Sequence, residues 1–182
     1  MKPAAVRRLL HASTAAILLV AFFGSVGLLR YTLAGLAAIA LLLDCLRVSR
    51  PAVGSLFRRL VPVFRGSEAH RLSGATWLCI GYAAAAWCPL PAATAGILAG
   101  AFADPAASLV GSAFNREGLK KTWAGSAAAA VVAVLVLLPI GIQIGAVLAG
   151  ALAAMVLERW PGPLDDNLVV APGVALVVLL VM

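Results

Sequence analysis

The sequence predicts an all-α polytopic membrane protein, and three observations predict it. Of 182 residues, 63% are hydrophobic and only 12% are charged, against about 45–50% and about 25% in a soluble domain. The mean hydropathy of +1.05 rules out a disordered chain, because such chains are polar and highly charged. A chain this small could not hide so much apolar surface in a core of its own, which excludes an ordinary soluble globule. The third observation is arrangement. The apolar residues fall into charge-free runs of bilayer length, divided by proline, glycine or clustered charge. Residues 1–182 are read as one integral membrane domain.

Leu9 to Leu29 is the first such run, long enough for a bilayer that needs about 20 residues. Lys2, Arg7 and Arg8 before it resemble a signal-peptide flank, but more spans follow and no convincing cleavage site is present, so it is read as a retained helix. Tyr31 to Leu43 forms a second, shorter span that can extend to Cys45 with Asp44 at its end. Between 46 and 71 come Arg47, Arg50, Arg58, Arg59, Arg65 and Arg71, with Pro51 and Pro62 as breakers. There, Leu56, Phe57, Leu60 and Val61 suit either an amphipathic surface helix or a solvated basic loop. Leu72 to Ala103 is too long for one crossing, and Pro89 and Pro91 break it into a hairpin. Its second arm carries Gly96 and Gly100 at G-x-x-x-G spacing, expected to serve packing inside the bundle. Thr122 to Leu157 repeats the pattern around Pro139 and Gly141, and Leu168 to Met182 is the last span. The expected count is about seven crossings.

The net charge is +7 and the pI about 10.2. The placement of the charges assigns them to a membrane surface rather than to nucleic acid. Basic loops stay in the cytosol, which puts the N-terminus there. Thirteen of the fourteen Lys and Arg residues then fall on the inner side, Arg30 being the exception, and so do all seven acids: Asp44, Glu68, Asp104, Glu117, Glu158, Asp165 and Asp166. The outer turns are expected near Arg30, Cys88–Pro91 and Pro139–Ile142. Acids contribute little to orientation, so their gathering at one face points to a one-sided polar site, with capping and solvation as the alternative. Cys45, Cys79 and Cys88 form no C-x-x-C pair, and Cys79 reads as a small core residue.

The richest segment runs from Asp104 to Ser126. It holds an acid expected at a span end, then Gly111, Arg116, Gly118, Lys120, Lys121, Thr122, Gly125 and Ser126. Cations beside exposed backbone N–H groups suit a polyphosphate, and a nearby carboxylate suits its Mg²⁺. The segment is not a P-loop, because the glycine spacing is wrong and no strand precedes it. Downstream, Asp165, Asp166 and Asn167 follow Glu158. One acid suffices to cap the last helix, whereas two adjacent carboxylates favour a divalent cation. Arg7, Arg8 and His11 share a helical face, which by itself reads as a basic flank with an interfacial histidine. His11 and His70 have no partners at zinc or Ser/His/Asp spacing.

Together these motifs resemble the CTP-dependent lipid-alcohol kinases, the family of dolichol kinase, phytol kinase and fungal-type diacylglycerol kinase. Arg7-Arg8-Leu9-Leu10-His11 is similar to the family's R-K-x-x-H, and Asp44 with Arg47 to its acid-x-x-Arg. Glu68 through Leu72-Ser73-Gly74-Ala75-Thr76 resembles E-x-x-x-L-S-G-A-T. Asp104 to Gly111 and Lys120-Lys121-Thr122 with Gly125-Ser126 resemble the nucleotide segment, and Asp165-Asp166-Asn167-Leu168 is similar to D-D-N-L. The sequence departs from the pattern at Arg8, at Ala103 in place of Gly, and at Ala124 in place of Glu.

The resemblance implies transfer of the γ-phosphoryl of CTP, or of another nucleoside triphosphate, to the hydroxyl of a polyprenol, dolichol, phytol or diacylglycerol at the cytosolic face of the cell membrane. The roles follow the motifs. Asp104 and Asp166 are catalytic. Gly111, Arg116, Gly118, Lys120, Lys121, Thr122, Gly125 and Ser126 bind nucleotide. Asp104, Asp165, Asp166 and Asn167 hold Mg²⁺. Arg7, His11, Arg47 and Glu68 line the site. The expected partners are the lipid alcohol, the nucleotide and membrane lipids, and the reading is compatible with a homo-oligomer. One alternative is cytidylyl transfer to phosphatidate, whose H-G-G and D-R-x-D signatures are absent. The other is a small transporter or scaffold, which should place ionisable groups near the bilayer midplane.

Overall fold

A computed structural model describes residues 3–60, 68, 70–115 and 121–182. Among these residues every regular element is helical. Helix α1 (Pro3–Ser13) passes through a 3₁₀ stretch (Thr14–Leu18) into α2 (Leu19–Phe23). Next come α3 (Val26–Ser49), α4 (Pro51–Leu60) and α5 (Gly74–Ala85). After them follow α6 (Leu90–Phe114), α7 (Trp123–Leu137), α8 (Ile144–Arg159) and α9 (Asp166–Val181). Four stretches, Ala4–Phe23, Val26–Ser49, Leu90–Phe114 and Trp123–Ile140, are long and apolar enough to cross a bilayer. Outward-facing Phe22, Phe23, Leu42, Leu135, Leu152 and Leu180 are largely exposed, as in a protein whose surroundings are lipid.

Hydroxyl and carboxylate caps set the helix starts, since the first N–H groups of a helix lack partners within it. The Ser25 Oγ accepts from Leu28 N at 3.0 Å, Ser73 Oγ from Thr76 N at 3.3 Å, and Thr122 Oγ1 from Gly125 N at 3.1 Å. Asp165 Oδ1 accepts from Asn167 N at 3.1 Å. The Ser25 cap corrects the expected first boundary. The chain turns at Gly24 and Ser25, and Arg30 lies inside α3 instead of in a turn. Arg30 reaches the far end of α5, donating to the carbonyls of Ala86 at 2.9 Å and Cys88 at 3.4 Å. A second correction concerns Asp104. It is not at a helix end, because α6 continues through Pro105 to Phe114. The segment 51–60, read as either helix or loop, is α4.

Helix α9 packs against α5, α6 and α8, and small residues let it do so. Pro172 has no N–H to give the Leu168 carbonyl. The carbonyls of Asn167 and Leu168 face Gly81, where an added Cβ would stand 2.7 and 2.8 Å from their oxygens. A Cβ on Gly96 would collide with the Ala171 carbonyl. The Gly96/Gly100 spacing thus serves packing within the bundle, as expected. The interior is mainly alanine and valine, with Ala99, Ala103, Ala129, Ala133, Ala154 and Val174 among the buried side chains. This close approach brings the start of α9 beside Asp104 within α6 and the end of α8.

Candidate functional site

At one end of the bundle, residues from five segments converge. Asp104 of α6, Lys121 before α7, Glu158 near the end of α8 and Asp166 at the start of α9 line a polar cavity of about 270 Å³. Ala107, Ser108, Gly111, Ser112, Thr122 and Gly125 complete much of its wall. One carboxylate oxygen from each of Asp104, Glu158 and Asp166 lies within 4.8 Å of the others. The Lys121 Nζ stands between two of these acids, 2.8 Å from Glu158 Oε1 and 2.7 Å from Asp166 Oδ2, and also donates to the Glu158 carbonyl. Burial works against the Lys121 ammonium, but Asp166 and Glu158 outweigh it and hold its pKa above the ordinary lysine value.

His11 joins from α1. Its Nε2–H donates to the Gly100 carbonyl at 3.0 Å, which turns Nδ1 toward Asp104 Oδ2 at 3.4 Å. Arg8, a helical step away, reaches Ser108 Oγ at 3.3 Å and Ser112 Oγ at 3.4 Å. Glu158 is buried and accepts from Ser126 Oγ at 3.4 Å as well as from Lys121. Arg159 donates to Ser126 Oγ at 3.4 Å and lies 3.8 Å from the Trp123 ring centroid, a cation–π contact that joins α7 to α8.

The sequence-predicted residues separate into groups. Asp104, Lys121 and Asp166 come together, with Gly111, Thr122 and Gly125 in the same wall. Gly111 and Gly125 also let α6 and α7 touch, since a Cβ on Gly125 would lie 2.7 Å from the Ala107 carbonyl. Arg116, Gly118 and Lys120 lie outside the described residues. Asp165 and Asn167 do not join the three carboxylates. Asp165 Oδ1 accepts from Asn167 Nδ2 at 2.7 Å and caps α9. Successive residues at a helix start point in different directions, so Asp166 can enter the cavity while its neighbours do not. Glu158, not Asp165, is the third acid of the cluster. Its only sequence signal is an acid at the end of an apolar run.

Arg47 and Glu68 belong to a second polar cluster. Arg47 Nε donates to Asp44 Oδ1 at 2.6 Å, and its other nitrogens reach the carbonyls of Glu68 at 2.8 Å and Arg71 at 2.6 Å. Asp44 Oδ2 also accepts from Ser73 N and Thr76 Oγ1, both at 2.6 Å. Arg7 closes the cluster with a 3.4 Å contact to Glu68 Oε1. Between the two clusters lies a smaller, mostly apolar pocket of about 180 Å³, bordered by Arg7, Leu10, His11, Thr14, Leu78 and Asn167 among others.

No family model, curated protein or solved structure matches the chain.

Proposed function

We propose that the protein is a membrane-embedded lipid-alcohol kinase that moves the γ-phosphoryl of CTP, or of another nucleoside triphosphate, to the hydroxyl of a lipid alcohol such as a polyprenol, dolichol, phytol or diacylglycerol. The carrying observation is that Asp104, Lys121, Glu158 and Asp166, from four segments, line one polar cavity. The ordered motifs of the sequence add their weight. In this reading the whole chain is one multi-pass domain of the cell membrane. Helices α5, α8 and α9 join the four longer stretches to make seven crossings, and the positive-inside rule places the N-terminus in the cytosol.

Phosphoryl transfer requires in-line positioning and neutralisation of charge more than covalent work by the protein. Lys121 faces the polyphosphate, while Arg116 and Lys120, named for the same role from the sequence, lie outside the described residues. The donor set fits Mg²⁺, a hard cation that takes oxygen ligands and is usually bound through one or two carboxylates plus substrate phosphates. Glu158 and Asp166 would hold it, and it would neutralise charge on the phosphates. Asp104, oriented by His11, is then left to act as the base. The lipid hydroxyl gives its proton to Asp104, and its oxygen bonds to the γ-phosphorus. The bond from that phosphorus to the bridging oxygen breaks, and the nucleoside diphosphate leaves with the electron pair.

The test incubates the purified protein in detergent with γ-labelled CTP or ATP, Mg²⁺ and a panel of lipid alcohols. Label is expected in a lipid monophosphate and is expected to fall by about 10²–10³ in Asp166→Ala and Lys121→Ala variants that still fold. Label released only as pyrophosphate, with a CDP-lipid as product, would overturn the kinase reading in favour of cytidylyl transfer.

A further inference from the structure

The small pocket between the two polar clusters has a composition that the phosphate side of the reaction does not explain. Leu10, Ala75 and Leu78 give it an apolar lining. Leu10 is 54% exposed, so the pocket opens on the outer surface of α1, which in a membrane protein meets lipid. Its polar groups are Arg7 and His11 on α1 with Thr14 just after it, Glu68 with Ser73 before α5, and Asn167 on α9. Arg7 is paired to Glu68, so these two charges cancel.

Asn167 is only 7% exposed. Its amide nitrogen is bound to Asp165, which fixes the orientation of the amide, and its Oδ1 has no hydrogen-bond partner among the described residues. A buried acceptor without a donor is costly, by about 1–3 kcal/mol in general, and such an atom beside a cavity calls for a ligand that donates. Gly74 keeps the pocket floor open. A Cβ there would stand 2.8 Å from an Arg7 guanidinium nitrogen and 3.0 Å from the Asn167 amide nitrogen.

The pocket also shares its wall with the polar cavity. His11 borders the pocket and touches Asp104 in the cavity, while Asp166 lines the cavity and the next residue, Asn167, borders the pocket. We propose that this pocket is the acceptor subsite, taking the uncharged hydroxyl-bearing head of a membrane lipid, with the hydroxyl resting on Asn167 Oδ1 before it turns its proton to Asp104 for transfer, and discriminating against a phosphomonoester head. Discrimination follows from charge. A phosphate needs surplus cation or several donors, and here the guanidinium is already matched by a carboxylate. A hydroxyl needs one acceptor and an apolar wall for its first carbons. The inference rests on the kinase reading for the identity of the acceptor, but the pocket makes its own separate prediction.

The experiment uses the full chain in detergent and a farnesol probe with a photoactivatable diazirine close to the hydroxyl. Crosslinked residues are read by mass spectrometry, and Mg·CTP binding is measured in parallel with a fluorescent CTP analogue. Labelling is expected on α1 and α5 around Leu10, Ala75 and Leu78, competed by unlabelled farnesol but not by farnesyl monophosphate. Leu78→Trp should reduce it about tenfold, a loss of about 1.4 kcal/mol, with CTP-analogue binding kept. Because Leu78 is buried, Leu10→Trp at the exposed rim provides a second variant that tolerates a larger side chain. Labelling elsewhere, or equal competition by the monophosphate, would overturn the subsite even if the protein transfers phosphate. Specific labelling here in a protein that transfers no phosphate would uphold the subsite and count against the kinase reading.

Discussion

Two acidic clusters lie at the same end of the bundle, and they are built to opposite rules. In the cluster around Asp44, each carboxylate has a cation beside it: Arg47 for Asp44 and Arg7 for Glu68. Asp44 is buried, accepts from Ser73 and Thr76 besides Arg47, and ties α3 to α5. The cluster around Asp104 gathers three carboxylates, with Lys121 between Glu158 and Asp166 and His11 beside Asp104, and a cavity opens among them. The same residue type therefore closes a joint in one place and borders an open cavity in the other. Open volume, rather than the presence of acids, separates a joint from a candidate site.

The comparison is most exposed at Asp44. Asp44→Ala leaves the Arg47 guanidinium buried without its carboxylate, and such a loss costs about 3–5 kcal/mol. Denaturation in detergent should show that drop, and added Mg²⁺ should not restore it. An unchanged midpoint would mean that the joint bears little weight. A smaller effect sharpens the other half. A Mg²⁺ concentration about ten times its dissociation constant should stabilise the wild-type chain by about 1.4 kcal/mol, a gain that Asp166→Asn removes and Asp44→Asn keeps. A gain that survives Asp166→Asn would place the cation elsewhere. The smallest effect is expected at Thr122, whose hydroxyl caps α7. Thr122→Ala should lower stability by about 1 kcal/mol, while Thr122→Ser retains it. Throughout these measurements Lys121 keeps its charge. Its raised pKa means that its hold on Asp166 and Glu158 is complete at neutral and mildly alkaline pH and is lost only as pH climbs through that raised value.

The apolar runs were legible because lipid demands them. Without water to satisfy the backbone, a crossing segment must be a continuous apolar helix, and the breaks at Pro89 and near Gly141 fall where the chain turns. The start of α3 was less visible, since the Ser25 cap lies inside a charge-free run and Arg30 drew the boundary toward itself. Lys121 and Asp166 could be named from local chemistry, and the structure puts them 2.7 Å apart. Glu158 was grouped with the acids of the last helix but given no role, and Asp165 and Asn167 were expected in a metal cluster, whereas the three acids that meet are Asp104, Glu158 and Asp166.

What the sequence determined by itself is an all-helical chain of membrane character, because hydropathy and periodicity are local properties. The tertiary structure alone decided which acids meet. That depends on how closely α9 approaches α5 and α6 through Gly81 and Gly96, and on the direction in which each side chain leaves its helix. Neither quantity is written in any one segment.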